Sequence, residues 1–180
     1  ARMYCLSMMC DNGIPCEKLV LALNRHLPED IAALAAEDAA GDFHARYRCV
    51  GKEYVYRVWN SRIKDPFGPG LSYRYGFPLD ADFLHHEAPD FVGVHDFAAF
   101  QSVGGDVADT VRTIRSFRVS REGDFVNFAV EGDGFLYHMV RIMVGTLLYI
   151  SMGRIPPGQI PAILDSRDRC NAGKTMPAQG

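Results

Sequence analysis

At 180 residues, the chain is long enough for one sizeable hydrophobic core or for two small lobes that share one. Hydrophobic residues make up 48% of it and charged residues 23%, which is typical of a globular protein. The net charge of −3 excludes a general attraction to nucleic acids or anionic membranes, so such binding would need local basic patches. The five cysteines lack CxxC spacing, which favours free thiols over a disulfide framework or a zinc site.

The first 40 residues contain one clear helical pattern. Met3–Met9 is a short apolar run, which predicts a strand, and no apolar segment long enough for a signal peptide is present at this end. Pro15 suits the first turn of a helix, and the apolar spacing that follows predicts a helix over Pro15–His26. Ile31–Ala40 fits either a strand followed by a loop or a weak helix.

Asp42–Asn60 is dense in aromatic and β-branched residues, which predicts a strand with a bend or bulge at Gly51. Alternation divides its second half between two faces, with Lys52, Tyr54, Tyr56 and Val58 on one and Glu53, Val55, Arg57 and Trp59 on the other. The Pro- and Gly-rich Ser61–Gly76 that follows is predicted to be a loop.

The next elements are a helix and a hairpin. Asp80–Gly93 predicts a helix that opens on Asp80 and is interrupted by Pro89. Arg112–Arg121 and Phe125–Val130 both alternate between apolar and polar residues on either side of a short turn, which predicts a β-hairpin.

Gly134–Gly153 is apolar nearly all round, which predicts a helix buried in a core or in a membrane. His138 and Arg141 lie within this stretch, and charges at that depth make a membrane span unfavourable. Pro156–Asp165 predicts a short amphipathic helix. We therefore expect an α+β fold, with an antiparallel sheet and helices packed mainly on one face.

Basic residues are concentrated in two regions, His44–Lys64 and Arg112–Arg121. Cations interleaved with aromatic rings are what an RNA surface needs, because cations bind phosphates and rings stack on unpaired bases. Equally, basic residues protect edge strands from aggregation while the aromatic residues fill the core, and composition alone favours this structural interpretation modestly.

The individual candidates carry the same ambiguity. A strand tyrosine such as Tyr54 is usually a core residue with a satisfied hydroxyl, and a helical arginine such as Arg141 is usually paired structurally or extended to solvent. His138 would share a helix face with Arg141, three residues away, and a satisfied core histidine is its commonest role. The residue patterns alone therefore indicate an α+β domain with basic, aromatic strands and a buried helix that carries an arginine.

Whole motifs, however, resemble the tRNA pseudouridine synthase A family. NRHLPEDIA and DFHARYRCVGKEYVYRVWN resemble two of its segments, and VGVHDFAAF and TVRTI resemble two more. GFLYHMVRIMVGTLL resembles the family's GF-L-x-x-MVR helix, and DRCNAGKTMPAQG resembles the segment before its last strand. The resemblance covers nearly the whole chain.

The resemblance implies an enzyme, an isomerase that converts uridine to pseudouridine in the anticodon stem-loop of tRNA. It further implies a cytoplasmic homodimer that needs no organic cofactor and no metal. Two catalytic residues follow from it: Tyr54 would stack on the target base and assist proton transfer, and Arg141 would pair with the catalytic aspartate. The expected RNA-binding residues are Arg46, Arg48, Lys52, Arg57, Arg112 and His138.

One departure from the family pattern is large. The nucleophilic aspartate belongs to a GRTDAGVHA motif, and this sequence has no such motif. We therefore expect residues 1–40 to be the tail of an N-terminal lobe and residues 41–180 to be a catalytic lobe without its last strand, inactive alone. The alternatives from other classes are a non-catalytic RNA-binding module and a core-packing or oligomerisation domain.

Overall fold

The computed structural model describes residues 3–11, 13–68, 70–105 and 107–180, and it forms two compact units, Ala1–Cys49 and Val50–Gly180. The first unit contains helix α1 (Cys16–Asn24), which confirms the helix predicted over Pro15–His26, with Pro15 at the N-cap and not inside the helix. The predicted strand over Met3–Met9 is wrong, because this segment is irregular and its large apolar side chains are mostly exposed. An extended segment without a neighbouring strand has no ladder to satisfy its peptide groups.

The second unit is a five-stranded sheet with three α-helices. Its elements in chain order are β1 (Lys52–Trp59), β2 (Tyr73–Arg74), α2 (Ala81–Glu87), β3 (Gly93–Asp96), β4 (Val111–Glu122), β5 (Phe125–Gly132), α3 (Met139–Ser151) and α4 (Ile160–Ser166). Short 3₁₀ turns lie between or after these elements, at Ala88–Phe91, Ala98–Phe100 and Arg169–Asn171. Among the described helices, none has both the length and the apolar character needed to cross a bilayer.

The strand order is β2-β1-β5-β4-β3, and every pair is antiparallel except the two-residue pair of β1 with β2. The predicted hairpin is confirmed as β4 and β5. Tyr54 lies opposite Val130 and Tyr56 opposite Phe128 in the register of β1 with β5. β2 lies inside the segment predicted to be a loop, where it pairs only with the last two residues of β1.

The core lies on one face of this sheet. Val58 of β1, Phe128 of β5 and Val119 of β4 belong to the same buried cluster as Leu84 of α2, Leu147 of α3 and Ile163 of α4. The helices therefore cover the face that carries Tyr54 and Tyr56, and the predicted α+β class is confirmed.

Two predicted helices begin or end elsewhere. Asp80 caps α2 by accepting a hydrogen bond from Phe83 N at 3.0 Å, but the helix stops before Pro89. Pro89 lies in the 3₁₀ turn Ala88–Phe91, and Gly93, the last residue of the predicted helix, is the first residue of β3. The buried helix begins only at Met139, because His138 adopts a left-handed conformation with φ of 60°. His138 is thus the residue that precedes α3, so the expected shared helix face with Arg141 is wrong.

Candidate active site

Helix α3 carries Arg141 in its first turn, at the point where the helix meets the covered face of β1. The residues on either side of it, Val140 and Ile142, are buried, whereas Arg141 is half-buried. A side chain that starts in a packed core and reaches toward solvent keeps its charged end hydrated. The core therefore fixes the base of this arginine, while the residue as a whole keeps part of its surface exposed.

The hydrogen bonds of Arg141 go to backbone. Its Nε donates to the carbonyl oxygen of Met176, and Met176 N donates back to the Arg141 carbonyl oxygen at 3.2 Å. Within residues 3–11, 13–68, 70–105 and 107–180, no carboxylate lies within 4.0 Å of the guanidinium. Both Nη groups also lack a hydrogen-bond partner in that part of the chain. A planar guanidinium whose two Nη groups have no partner among the described residues is suited to bidentate binding of a carboxylate.

The two tyrosines of β1 that share the covered face differ in exposure. Tyr54 is 50% exposed, and its ring meets the Phe135 ring edge-on with centroids 5.1 Å apart. Tyr56 is 4% exposed, and its hydroxyl donates to the Pro177 carbonyl oxygen at 2.8 Å. Tyr54 thus offers part of an aromatic ring to solvent on a rigid strand, and this is the form of a stacking platform for a base.

Burial raises the pKa of Tyr56 well above its ordinary value, and Tyr73 raises it further, while the Arg141 guanidinium lowers it. The phenol therefore stays protonated and remains a hydrogen-bond donor to Pro177. Tyr56 is not among the site residues predicted from the sequence. The available signal was its position two residues after Tyr54 on the same strand face.

His138 belongs to a chain of polar contacts beside Arg141. Its Nδ1 lies 3.2 Å from Ser102 Oγ, which in turn lies 3.4 Å from Thr175 Oγ1. Arg169 Nη2 donates to the same Thr175 oxygen at 3.2 Å. The Tyr137 ring stacks on the imidazole with centroids 3.7 Å apart. These contacts connect the residue before α3 to the segment that also accepts from Arg141.

Burial lowers the pKa of His138 below 6.5, and the nearby Arg141 charge lowers it further. Arg141→Gln is therefore expected to raise the His138 pKa, measured by NMR titration of the imidazole, whereas Arg154→Gln should leave it unchanged. Because the folded state binds the proton less readily than the unfolded state, His138 destabilises the fold as the pH falls below about 6.5. No change of the His138 pKa in Arg141→Gln would contradict this electrostatic coupling.

The residues predicted to bind RNA do not form a single patch. Lys52 lies on β1 on the same face as Tyr54, but Arg57 lies on the opposite face, with its guanidinium 4.1 Å from the centroid of the Phe125 ring. Arg112 lies beside the loop before α3, since a Cβ on Gly134 would be 3.8 Å from its side chain.

Arg46 and Arg48 belong to the first unit. Arg48 forms an ion pair with Asp42, and the Arg46 guanidinium lies 6.0 Å from the centroid of the Tyr47 ring. These two arginines are therefore part of an aromatic and charged group within residues 42–48.

The tRNA pseudouridine synthase family model matches residues 88–180, which include α3 and the segment that contacts Arg141. A tRNA pseudouridine synthase A from Moorella thermoacetica is 46% identical over 180 residues, covering 100% of this chain and 73% of that protein. The chain belongs to the tRNA pseudouridine synthase family. The prediction of this family, and with it of an isomerase, is confirmed.

Two further members of the family show the same extent of similarity. The tRNA pseudouridine synthase A of Acetivibrio thermocellus is 41% identical over 174 residues, which cover 97% of this chain and 71% of that protein. The synthase A of Halalkalibacterium halodurans is 44% identical over 168 residues, covering 93% of this chain and 64% of that protein. The similarity to synthases thus extends over both units of the structure.

Proposed function

We propose that this chain serves a synthase that acts on tRNA and isomerises uridine to pseudouridine in the anticodon stem-loop. The names of the relatives support the substrate and the reaction. The single observation that carries the proposal is Arg141, a half-buried cation held through its Nε by a backbone carbonyl, with neither Nη group bonded to the described residues. The reaction needs a carboxylate nucleophile, and this fork offers it a binding site.

Arg141 is proposed to pair with that carboxylate. An adjacent guanidinium favours the ionised form, so the carboxylate stays deprotonated and nucleophilic at neutral pH. The sequence has no GRTDAGVHA motif to supply the nucleophile. We therefore propose that these 180 residues do not isomerise uridine by themselves but keep part of the RNA-binding surface.

In the proposed reaction, the carboxylate forms a bond to C1′ of the sugar as the bond between C1′ and N1 of uracil breaks. The uracil rotates while it lies against the Tyr54 ring. Its C5 then forms the new bond to C1′ as the bond between C1′ and the carboxylate breaks, which releases the carboxylate. The C5 proton is lost, and N1 gains a proton. Tyr54 would assist this proton transfer, so the chemistry needs neither a metal nor an organic cofactor.

The proposal also assigns the RNA-binding residues and the two lobes of the chain. Lys52, Arg112 and His138 lie on or beside the elements that carry Tyr54 and Arg141, and we assign them to phosphate or base contacts. Arg46, Arg48 and Arg57 are proposed as further RNA contacts. Residues 1–40 are proposed as part of an N-terminal lobe and residues 41–180 as the catalytic lobe, in a homodimer that works in the cytoplasm.

Tyr54 is the residue whose replacement tests the RNA surface. Tyr54→Ala is expected to weaken binding of an anticodon-arm RNA by about 5- to 100-fold, because one base loses its stacking partner. Tyr54→Phe keeps the ring and should bind nearly as well as the original chain. Phe67→Ala is the matched control, since Phe67 is 94% exposed and lies in a loop.

The measurement is fluorescence anisotropy of a labelled anticodon-arm RNA across several salt concentrations. Binding should weaken as salt rises, because phosphate contacts release counterions. Equal affinities for Tyr54→Ala and Phe67→Ala would contradict the proposed stacking role.

A chimera tests the reaction itself. In it, the region of the Moorella thermoacetica synthase that aligns with this chain is replaced by the chain, an exchange of residues that are 46% identical. We call this protein the Moorella chimera. Formation of pseudouridine in an anticodon-arm transcript by the Moorella chimera is the expected result.

A further inference from the structure

The segment Ala172–Pro177 packs its backbone directly against α3. Gly173 N donates to Thr146 Oγ1 at 2.8 Å, and that hydroxyl donates to the Ile142 carbonyl at 2.9 Å. A Cβ on Gly145 would lie 1.9 Å from the Lys174 carbonyl oxygen, so only glycine permits this approach. The path of the segment is thus fixed by backbone contact at its beginning.

Two consecutive carbonyls near the end of the same segment accept hydrogen bonds from different elements. The Met176 carbonyl accepts from Arg141 Nε on α3, and the Pro177 carbonyl accepts from the Tyr56 hydroxyl on β1 at 2.8 Å. Met176 is fully buried and Tyr56 nearly so. The two bonds therefore fix one short stretch of backbone between a helix and a strand.

This arrangement determines which edge of the Arg141 guanidinium is free. The group is planar and rigid, so a bond from Nε to a fixed carbonyl restricts the direction of its other N–H groups. The edge formed by Nη1 and Nη2 has no hydrogen-bond partner in the part of the chain that the structure describes. That edge is the one that binds a carboxylate through two parallel hydrogen bonds.

We propose that Tyr56 is a positioning residue for the isomerisation. Its hydroxyl holds the Met176–Pro177 backbone, and the Met176 carbonyl then holds Arg141 so that its Nη1–Nη2 edge points to the nucleophilic carboxylate. The carboxylate itself belongs to the proposed function, on which this inference rests. Tyr56 touches no reacting atom in this scheme and acts only through the backbone and Arg141.

The competing explanation is that Tyr56 is only a core ring. Its ring packs closely, since a Cβ on Gly180 would lie 1.9 Å from Tyr56 Cζ. Tyr56→Phe separates the two explanations, because it keeps the ring and removes only the hydroxyl. The Pro177 carbonyl then loses its donor, and the backbone beside Arg141 is released.

The test is NMR of the arginine Nε–H groups in the ¹⁵N-labelled 180-residue chain, with the Arg141 signal assigned by its loss in Arg141→Lys. In Tyr56→Phe the Arg141 signal should shift, and its hydrogen exchange should accelerate about fivefold, as expected for one lost neutral hydrogen bond. Tyr75→Phe is the control, because Tyr75 is 7% exposed and its hydroxyl has no hydrogen-bond partner among the described residues. An unchanged Arg141 signal in folded Tyr56→Phe would overturn the proposal.

A second measurement covers the case in which Tyr56→Phe does not fold. In the original chain, the Tyr56 hydroxyl proton and the Arg141 Nε–H should both exchange slowly with solvent, because both are bonded to the Met176–Pro177 backbone. A Tyr56 hydroxyl proton that exchanges as fast as a solvent-exposed phenol would count against the proposal.

The Moorella chimera supplies a kinetic readout. Tyr56→Phe should lower kcat about fivefold and leave KM unchanged, because it disturbs the alignment of Arg141 without touching RNA. A KM effect alone would contradict the positioning role. The NMR test needs no activity, so an inactive Moorella chimera with the predicted NMR shifts would refute the proposed function while supporting the role of Tyr56.

Discussion

Replacement of Arg141 by glutamine is expected to lower kcat of the Moorella chimera by about 10²–10³-fold, the usual cost of removing one partner from a desolvated ion pair or catalytic contact. Glutamine can still donate a hydrogen bond, but it carries no charge to keep the carboxylate ionised. Arg141→Lys restores the charge without the planar fork and should recover only part of the activity. The measurement is single-turnover pseudouridine formation in an anticodon-arm transcript.

The pH dependence of the reaction rate tests the role of Arg141 independently. The arginine favours the ionised carboxylate, so without it the carboxylate pKa rises and the acid limb of the rate profile moves to higher pH. Arg154→Gln is the matched control, since Arg154 follows α3 and its guanidinium lies 5.1 Å from the centroid of the Tyr149 ring. An Arg141→Gln protein with the kcat and pH profile of the Arg154→Gln control would contradict the assigned role.

Replacement of Gly145 by alanine is expected to lower the free energy of unfolding of the 180-residue chain by about 3 kcal/mol or more, the upper range for overpacking. Helix propensity alone predicts the opposite sign, a gain of about 1 kcal/mol in a helix interior. The steric effect dominates because the new Cβ would lie 1.9 Å from the Lys174 carbonyl oxygen, and rigid backbone has little room to move. Urea denaturation followed by circular dichroism measures the change.

Gly134→Ala is the control for this prediction. A Cβ there would meet nothing closer than the Arg112 side chain at 3.8 Å, which is an ordinary contact. Its free energy of unfolding should therefore stay within about 0.5 kcal/mol of the original chain. If Gly145→Ala were as stable as Gly134→Ala, the close packing of α3 on Ala172–Pro177 would be wrong.

Local patterns predicted the elements whose stability depends on neighbours in sequence. The alternation of β4 and β5 around a tight turn identified the hairpin, and Asp80 identified the start of α2, because its side chain caps the helix locally. The apolar run that contains α3 was predicted to be buried because it has no polar face, which is also a local property of the sequence. In these cases, the information needed lies within about ten residues.

The predictions failed where distant residues decide the structure. Met3–Met9 has the composition of a strand but is irregular and largely exposed. Gly93, predicted to end a helix, instead begins β3, where it pairs with Ile114 of β4. His138 breaks the helical pattern with a left-handed backbone, while its imidazole contacts Ser102, 36 residues away in sequence. Periodicity does not register any of these long-range contacts.

In the candidate site, too, the residues suggested by the sequence differ from the long-range contacts that only the structure reveals. Arg141 attracted attention because a cation in an apolar helix needs an explanation, and Tyr54 was assigned from the resemblance to the family. The contacts of Arg141 with Met176 and of Tyr56 with Pro177 span 35 and 121 residues and were not predicted. Only the folded structure shows that, among the described residues, the Arg141 side chain forms hydrogen bonds through its Nε alone.

The most direct measurement is pseudouridine content, determined by mass spectrometry, in an anticodon-arm tRNA transcript incubated with the Moorella chimera. We predict stoichiometric conversion of a uridine in the arm, lost in Arg141→Gln and kept in Arg154→Gln. A folded Moorella chimera that binds the transcript and leaves every uridine unchanged would contradict the assignment and favour a non-catalytic RNA-binding module.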